Sequence, residues 1–300
     1  MRGATAHAGT VTPSARPSPL WPFLLLAYAI SWTLFLGGWL AEGRTGDLAA
    51  LRPWITAGTF GPGLAAALLL VVRREGLLAW LRSFVRLRAG WRAYALALLP
   101  LPLATLLLTW LLGFAPTEGG ELAAHVLALF PLSVLVGLLA LLIGAGPLGE
   151  EGGWRGYLLP RLLDRHGELA ASVLVGLAWA LWHLPLMALS EEWRGGVPFA
   201  LYLPLYTLGV VLLSIVLTRL WTLSGGSLFV CAWFHGVVNQ LGTVAFTASD
   251  GAAPWLEHWL DLCDDPWDDT ARAALFVLAI GLTAAYALLT RPTPPRERTT

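Results

Sequence analysis

Apolar residues along this chain gather into eight long runs, near 20–41, 53–72, 92–113, 125–146, 169–190, 199–221, 226–247 and 271–290. Each is close to the roughly 20 residues that a helix needs to cross a bilayer. No ten-residue stretches alternate between apolar and polar, which disfavours a transmembrane barrel. The pattern predicts an all-α protein, a polytopic transmembrane bundle of about eight helices. Residues 1–19 then form a leader, 20–290 a membrane domain and 291–300 a tail. The first run is too long for a signal-peptide core and lacks a small-x-small cleavage site, so it reads as a retained helix.

Composition sharpens this picture. Hydrophobic residues make up 57% of the 300 and charged residues 13%, against roughly 25% charge in a soluble domain. A globule of this size has too little interior to hide that much apolar surface, so lipid must cover much of it. The 19 basic and 19 acidic residues cancel, and no nucleic-acid partner is expected. All 19 bases are Arg, as in a GC-rich genome. Cys231 and Cys263 are too few for a disulfide framework or a cysteine metal site.

Arginine placement orients the bundle. With the N-terminus inside, 15 arginines fall on the cytoplasmic side, and Arg44, Arg52, Arg194 and Arg272 fall outside. The positive-inside rule therefore predicts both termini in the cytoplasm. The stretch from Arg73 to Arg92 mixes bases with Leu77, Leu78, Trp80, Leu81, Phe84, Val85 and Leu87, and reads as an amphipathic helix at the bilayer surface. The opposite acidic stretch, Glu257 to Thr270, lacks the ligand spacing of an EF-hand and reads as a hydrated loop.

Ionisable groups inside spans cost about 2.5–3.5 kcal/mol each on insertion scales and mark functional sites. Here they gather in three places: GEEGGWRGYLLPRL from Gly149, WALWHLP from Trp179 and FHGVVNQ from Phe234. Glu151 and Arg155 are four apart with the acid first, the better order for a helical ion pair. That leaves Glu150, about 100° round the helix, as the available carboxylate. Trp179 and His183 share a face, as do His235 and Asn239. Pro185 should bend the helix near His183. Measured from the cytoplasmic turns, Glu150, His183 and His235 reach similar depths of up to roughly 22 Å. Residues 128–165 would span about 57 Å as one straight helix, so a break is expected at Gly144–Gly149, with Pro160 as a second candidate.

These three motifs, Glu150-Glu151-x-x-x-Arg155, Trp179-x-x-x-His183 and His235-x-x-x-Asn239, resemble those of the CPBP intramembrane proteases, which include the CAAX prenyl endopeptidases and bacterial immunity-related proteins. The resemblance covers residues 125–247. It implies a bacterial multi-pass cell-membrane endopeptidase acting on a peptide or membrane protein, prenylated substrates among the candidates. Glu150 and His183 would activate water, and His235 and Asn239 would stabilise the oxyanion. Glu151, Arg155 and Trp179 would support them. Two departures stand out: Trp179 replaces a common Phe, and Gly152 and Gly153 replace residues more often apolar. Two glycines cost a helix about 2 kcal/mol, or they permit close helix approach.

Two alternatives concern chemistry and class. Glu150, His183 and His235 could instead form a zinc-hydrolase ligand set with an open fourth position. The metal-free reading, with no cofactor, is preferred because Asn239 suits a hydrogen-bond donor. A non-catalytic peptide-binding or bacteriocin-immunity protein of the same fold is the other class. A proton-relaying transporter ranks last, because only one broken helix is evident. Ser31, Ser172 and Ser214 read as helix-packing hydroxyls, and His125 and His166 as interfacial residues.

Overall fold

The computed structural model describes residues 19–111, 146–246 and 266–290, with isolated positions at 135, 138–139 and 141. The leader, most of the run at 125–146, the acidic loop before residue 266 and the tail lie outside the described residues, as do His7, His125, His258 and Cys263. Among the described residues every regular element is helical, and the all-α, polytopic prediction holds.

The first run forms α1 (Trp21–Ala41), with Pro22 in the opening turn, where a missing N–H costs nothing. The second run divides into α2 (Leu48–Gly58) and α3 (Gly61–Arg73) around Thr59 and Phe60. Asp47 caps α2 by accepting from the Ala49 N–H at 2.8 Å. The basic stretch contains a short helix, α4 (Leu77–Ser83), and then α5 (Trp91–Leu98) and α6 (Pro100–Leu111) follow. Leu78 and Leu81 of α4, Val85 and Leu87 beyond it and Trp91 of α5 are exposed.

The motif-bearing segment opens with α7 (Gly146–Gly153), widens into a π turn over Trp154–Leu158 and closes with α8 (Leu159–Leu163). Pro160 therefore does not break the chain. Its ring would strike the carbonyl of Gly156 in a regular helix, and the wider turn relieves this, with the Leu159 N–H reaching back five residues to the Trp154 carbonyl. Residues 144 and 145, where the other break was expected, lie outside the described residues.

The remaining runs form α9 (Glu168–Trp182) and α10 (Leu184–Leu189), α11 (Phe199–Leu223), α12 (Leu228–Phe246) and α13 (Pro266–Leu289). The bend between α9 and α10 falls at His183, two residues before Pro185, as the sequence predicts. By length and composition, four stretches among the described residues are long and apolar enough to cross a membrane: Trp21–Ala41, Leu48–Arg73, Glu168–Leu189 and Phe199–Leu223. Shorter apolar helical stretches cover Leu228–Asn239 and Val277–Leu289.

Helix α9 packs on α11, α11 on α13, and α1 on α2 and α3, while α7 lies against α3 and α12. Glycines set the closest of these approaches. Gly149 and Gly153, one turn apart on α7, lie on the Thr59–Gly63 backbone. A Cβ at Gly153 would fall 2.4 Å from Pro62 Cβ, and one at Gly149 2.6 Å from the Thr59 carbonyl oxygen. Close backbone approach is therefore the function of Gly153, in the manner of small-residue contacts between membrane helices. Gly152 faces the Trp80 and Phe84 rings instead.

Aromatic packing ties the centre together. Phe23 of α1 stacks on Tyr157 at 5.0 Å and meets Trp154 edge-on at 5.7 Å, and Trp154 meets Trp182 of α9 at 6.3 Å. The serines act as packing hydroxyls. Ser31 donates to the Gly58 carbonyl, Ser214 to that of Ser172, and Ser172 to that of Glu168. His166 is exposed in its turn.

Candidate active site

Glu150 and Glu151 enter the protein interior from α7, with 4% and 0% of their surfaces exposed. The ion pair expected from the four-residue spacing is present: Arg155 Nη1 donates to Glu151 Oε1 at 3.0 Å, and both side chains are fully buried. The same Glu151 oxygen also accepts from His235 Nδ1 at 3.0 Å. Sequence spacing gives no hint of this second contact, because it joins residues 84 positions apart. Glu151 therefore holds both the arginine and the histidine of α12.

His183 is fixed by the bend at its own position. A regular helix would send its N–H to the Trp179 carbonyl, but Pro185 tightens the turn and the N–H goes to Ala180 instead. The Trp179 carbonyl, thus released, pairs with His183 Nδ1 at 2.9 Å. A carbonyl can only accept, so Nδ1 carries the proton and Nε2 presents its lone pair. His235 is oriented by the same logic through the Glu151 carboxylate.

Trp179 stands between these groups. Its Nε1–H donates to Glu150 Oε2 at 2.7 Å. Its ring lies 6.1 Å from that of His183 and meets His235 edge-on at 4.9 Å. The Arg155 guanidinium sits 4.5 Å above it. The sequence suggests only that this ring packs beside His183. Its hydrogen bond to Glu150 was legible in one respect, since an indole has an N–H to place when buried, but the partner was not.

Beyond His183, three further aromatics close the space. Trp182 meets it edge-on at 4.6 Å, Tyr206 of α11 at 5.2 Å, and Trp193 lies at 6.1 Å. Tyr206 and Trp193 were not among the residues picked out from sequence. Three of the four proposed reacting groups, Glu150, His183 and His235, are thus buried around one indole. Asn239 is exposed, one turn further along α12, about 6 Å along the axis and 40° round from His235.

Among the described residues, no three His, Cys, Asp or Glu side chains are grouped as a metal site would need. Glu150 instead spends one oxygen on Trp179.

Residues 130–241 match the family described as type II CAAX prenyl endopeptidase, Rce1-like. A stretch of 92 residues is 30% identical to CAAX prenyl protease 2 of Methanococcus maripaludis, covering 30% of this chain and 34% of that protein. The matched part thus spans about a third of the relative's length. The family match over residues 130–241 takes in the buried carboxylates and both imidazoles, in the motif order read from the sequence. Through this motif-bearing core the chain is similar to the Rce1-like, type II CAAX prenyl endopeptidase family.

Proposed function

We propose that this protein is an intramembrane endopeptidase that hydrolyses a peptide bond of a membrane-associated peptide or protein. The observation that carries this reading is the burial of Glu150, His183 and His235 around Trp179, with Glu150 and His183 each hydrogen-bonded to that one residue. The relative's name, a CAAX prenyl protease, makes a prenylated C-terminal peptide the first substrate to try. The arginine distribution supports a cell-membrane protein with both termini in the cytoplasm.

In this reading a water lies between Glu150 and the Nε2 of His183. These two groups take its proton as its oxygen attacks the scissile carbonyl carbon. General-base help of this kind is typically worth a factor of about 10²–10⁴. The carbonyl oxygen becomes an oxyanion and accepts hydrogen bonds from the Asn239 amide and from His235. Because the His235 Nδ1–H donates its hydrogen bond to Glu151, the ring donates from Nε2 only when it carries both protons. The proton held by Glu150 and His183 then passes to the departing amine as the C–N bond breaks. Glu151 and Arg155 take no part in proton transfer and hold His235 and Trp179 in place. No step requires a metal.

The test is Glu150→Gln in purified protein reconstituted into liposomes. Glutamine keeps an acceptor for the Trp179 N–H, so the variant should melt like the native protein yet release no product from a fluorogenic prenylated peptide. Persistent cleavage by Glu150→Gln would remove Glu150 from the mechanism. A native protein that cleaves no reporter, with a cellular phenotype that survives Glu150→Gln, would favour a peptide-binding or immunity role. A proteomic comparison of cells carrying the two forms identifies the substrate as the fragment that disappears.

A further inference from the structure

We propose that Trp179 is the positioning residue of the water-activating pair, its indole N–H setting the Glu150 carboxylate and its main-chain carbonyl setting the His183 ring. The inference rests on the endopeptidase reading above and extends it to a residue whose donor the motif does not require.

Glu150 has little local support. Among its neighbours on α7, Gly149, Gly152 and Gly153 offer no side chains to restrict its rotamer. Its orientation must come from another helix. Trp179 Nε1–H supplies this at 2.7 Å in a buried setting, and an indole can only donate. The indole is itself held on two sides. The Arg155 guanidinium covers one face at 4.5 Å, and the His235 ring meets it at 4.9 Å and 76°. Arg155 in turn is tied to Glu151. The same residue's carbonyl holds His183 Nδ1 at 2.9 Å, which turns Nε2 toward the reacting space. Side chain and main chain of one residue thus fix the distance between the two groups that must share a water. A phenylalanine would fill the same volume and keep the carbonyl bond, but the carboxylate would lose its donor.

The decisive variant carries 3-benzothienylalanine at position 179, an isostere with sulfur in place of the indole N–H; Trp179→Phe is its simpler counterpart. A hydrogen bond to a charged group lost from a preorganised site predicts a fall in kcat of about tenfold or more. KM and the melting temperature of the isostere should stay near native values. A purely packing role predicts that both variants keep native kcat, and that result would overturn the proposal. A second readout is independent of turnover. The ultraviolet resonance Raman band sensitive to indole hydrogen bonding, taken as native minus Trp179→Phe, should report a strongly bonded N–H that is lost in Glu150→Ala and kept in Glu150→Gln. A weakly bonded indole in that difference spectrum also overturns the clamp. If the Raman signature is present and no reporter is cleaved, the endopeptidase reading fails while the clamp stands.

Discussion

Removing the Glu151 carboxylate should damage this protein more than removing Glu150. One oxygen of Glu151 serves two partners, Arg155 Nη1 and His235 Nδ1, each at 3.0 Å. The side chains of Glu151 and Arg155 are 0% exposed, and that of His235 4%. In Glu151→Ala the guanidinium stays buried without the carboxylate it is paired to, and its Nε and Nη2 already lack partners among the described residues. Breaking a buried pair in this way costs about 3–5 kcal/mol, a large share of the roughly 5–15 kcal/mol that holds a typical native protein together. Coupling through Arg155 to the Trp179 ring should carry the disturbance to Glu150 as well. The assay is thermal unfolding of the detergent-purified protein beside Glu151→Ala, Arg155→Met and the double variant Glu151→Leu with Arg155→Met. Apolar replacement of both partners removes the stranded charge, so the double variant should recover most of the stability lost in Glu151→Ala. Its activity should stay low, because His235 has lost the acceptor that orients it. A Glu151→Ala protein that melts within a degree or so of native, or a double variant less stable than either single one, would refute the account.

Three further outcomes follow from the geometry. Gly153→Ala should lower stability by about 1–3 kcal/mol, since the new methyl would meet Pro62 at 2.4 Å and force α7 away from α3; a thermal melt unchanged from native would show that the two helices separate freely. Asn239→Ala should reduce turnover by about 10²–10³ with little change in melting, the usual cost of losing one oxyanion donor; an unchanged rate would remove Asn239 from the site. Strong chelators should leave peptide cleavage intact, and inhibition reversed by added zinc would instead favour a metal-bound mechanism.

The sequence determined the solvent, the helices and the chemistry on offer. Apolar runs of membrane length require helices because lipid offers the backbone no hydrogen bonds, and charged residues tolerated within such runs mark function. Local spacing also fixed what lies within one helix. The Glu151–Arg155 pair follows from four-residue periodicity, and the bend at His183 follows from the missing N–H of Pro185. Even the freeing of the Trp179 carbonyl is a local consequence of that proline. Other features were decided only when distant segments met. That Glu151 holds His235, that Trp179 bonds to Glu150, and that Gly149 and Gly153 bed on the Thr59–Gly63 backbone all join residues tens of positions apart. The π turn before Pro160, in place of a break, is a local accommodation of the proline ring within its own segment. The physical reason for the division is range. Hydrogen-bond periodicity and ring sterics act over four or five residues and can be read along a chain, whereas the orientation of a buried side chain is set by whichever neighbour fills the space opposite it.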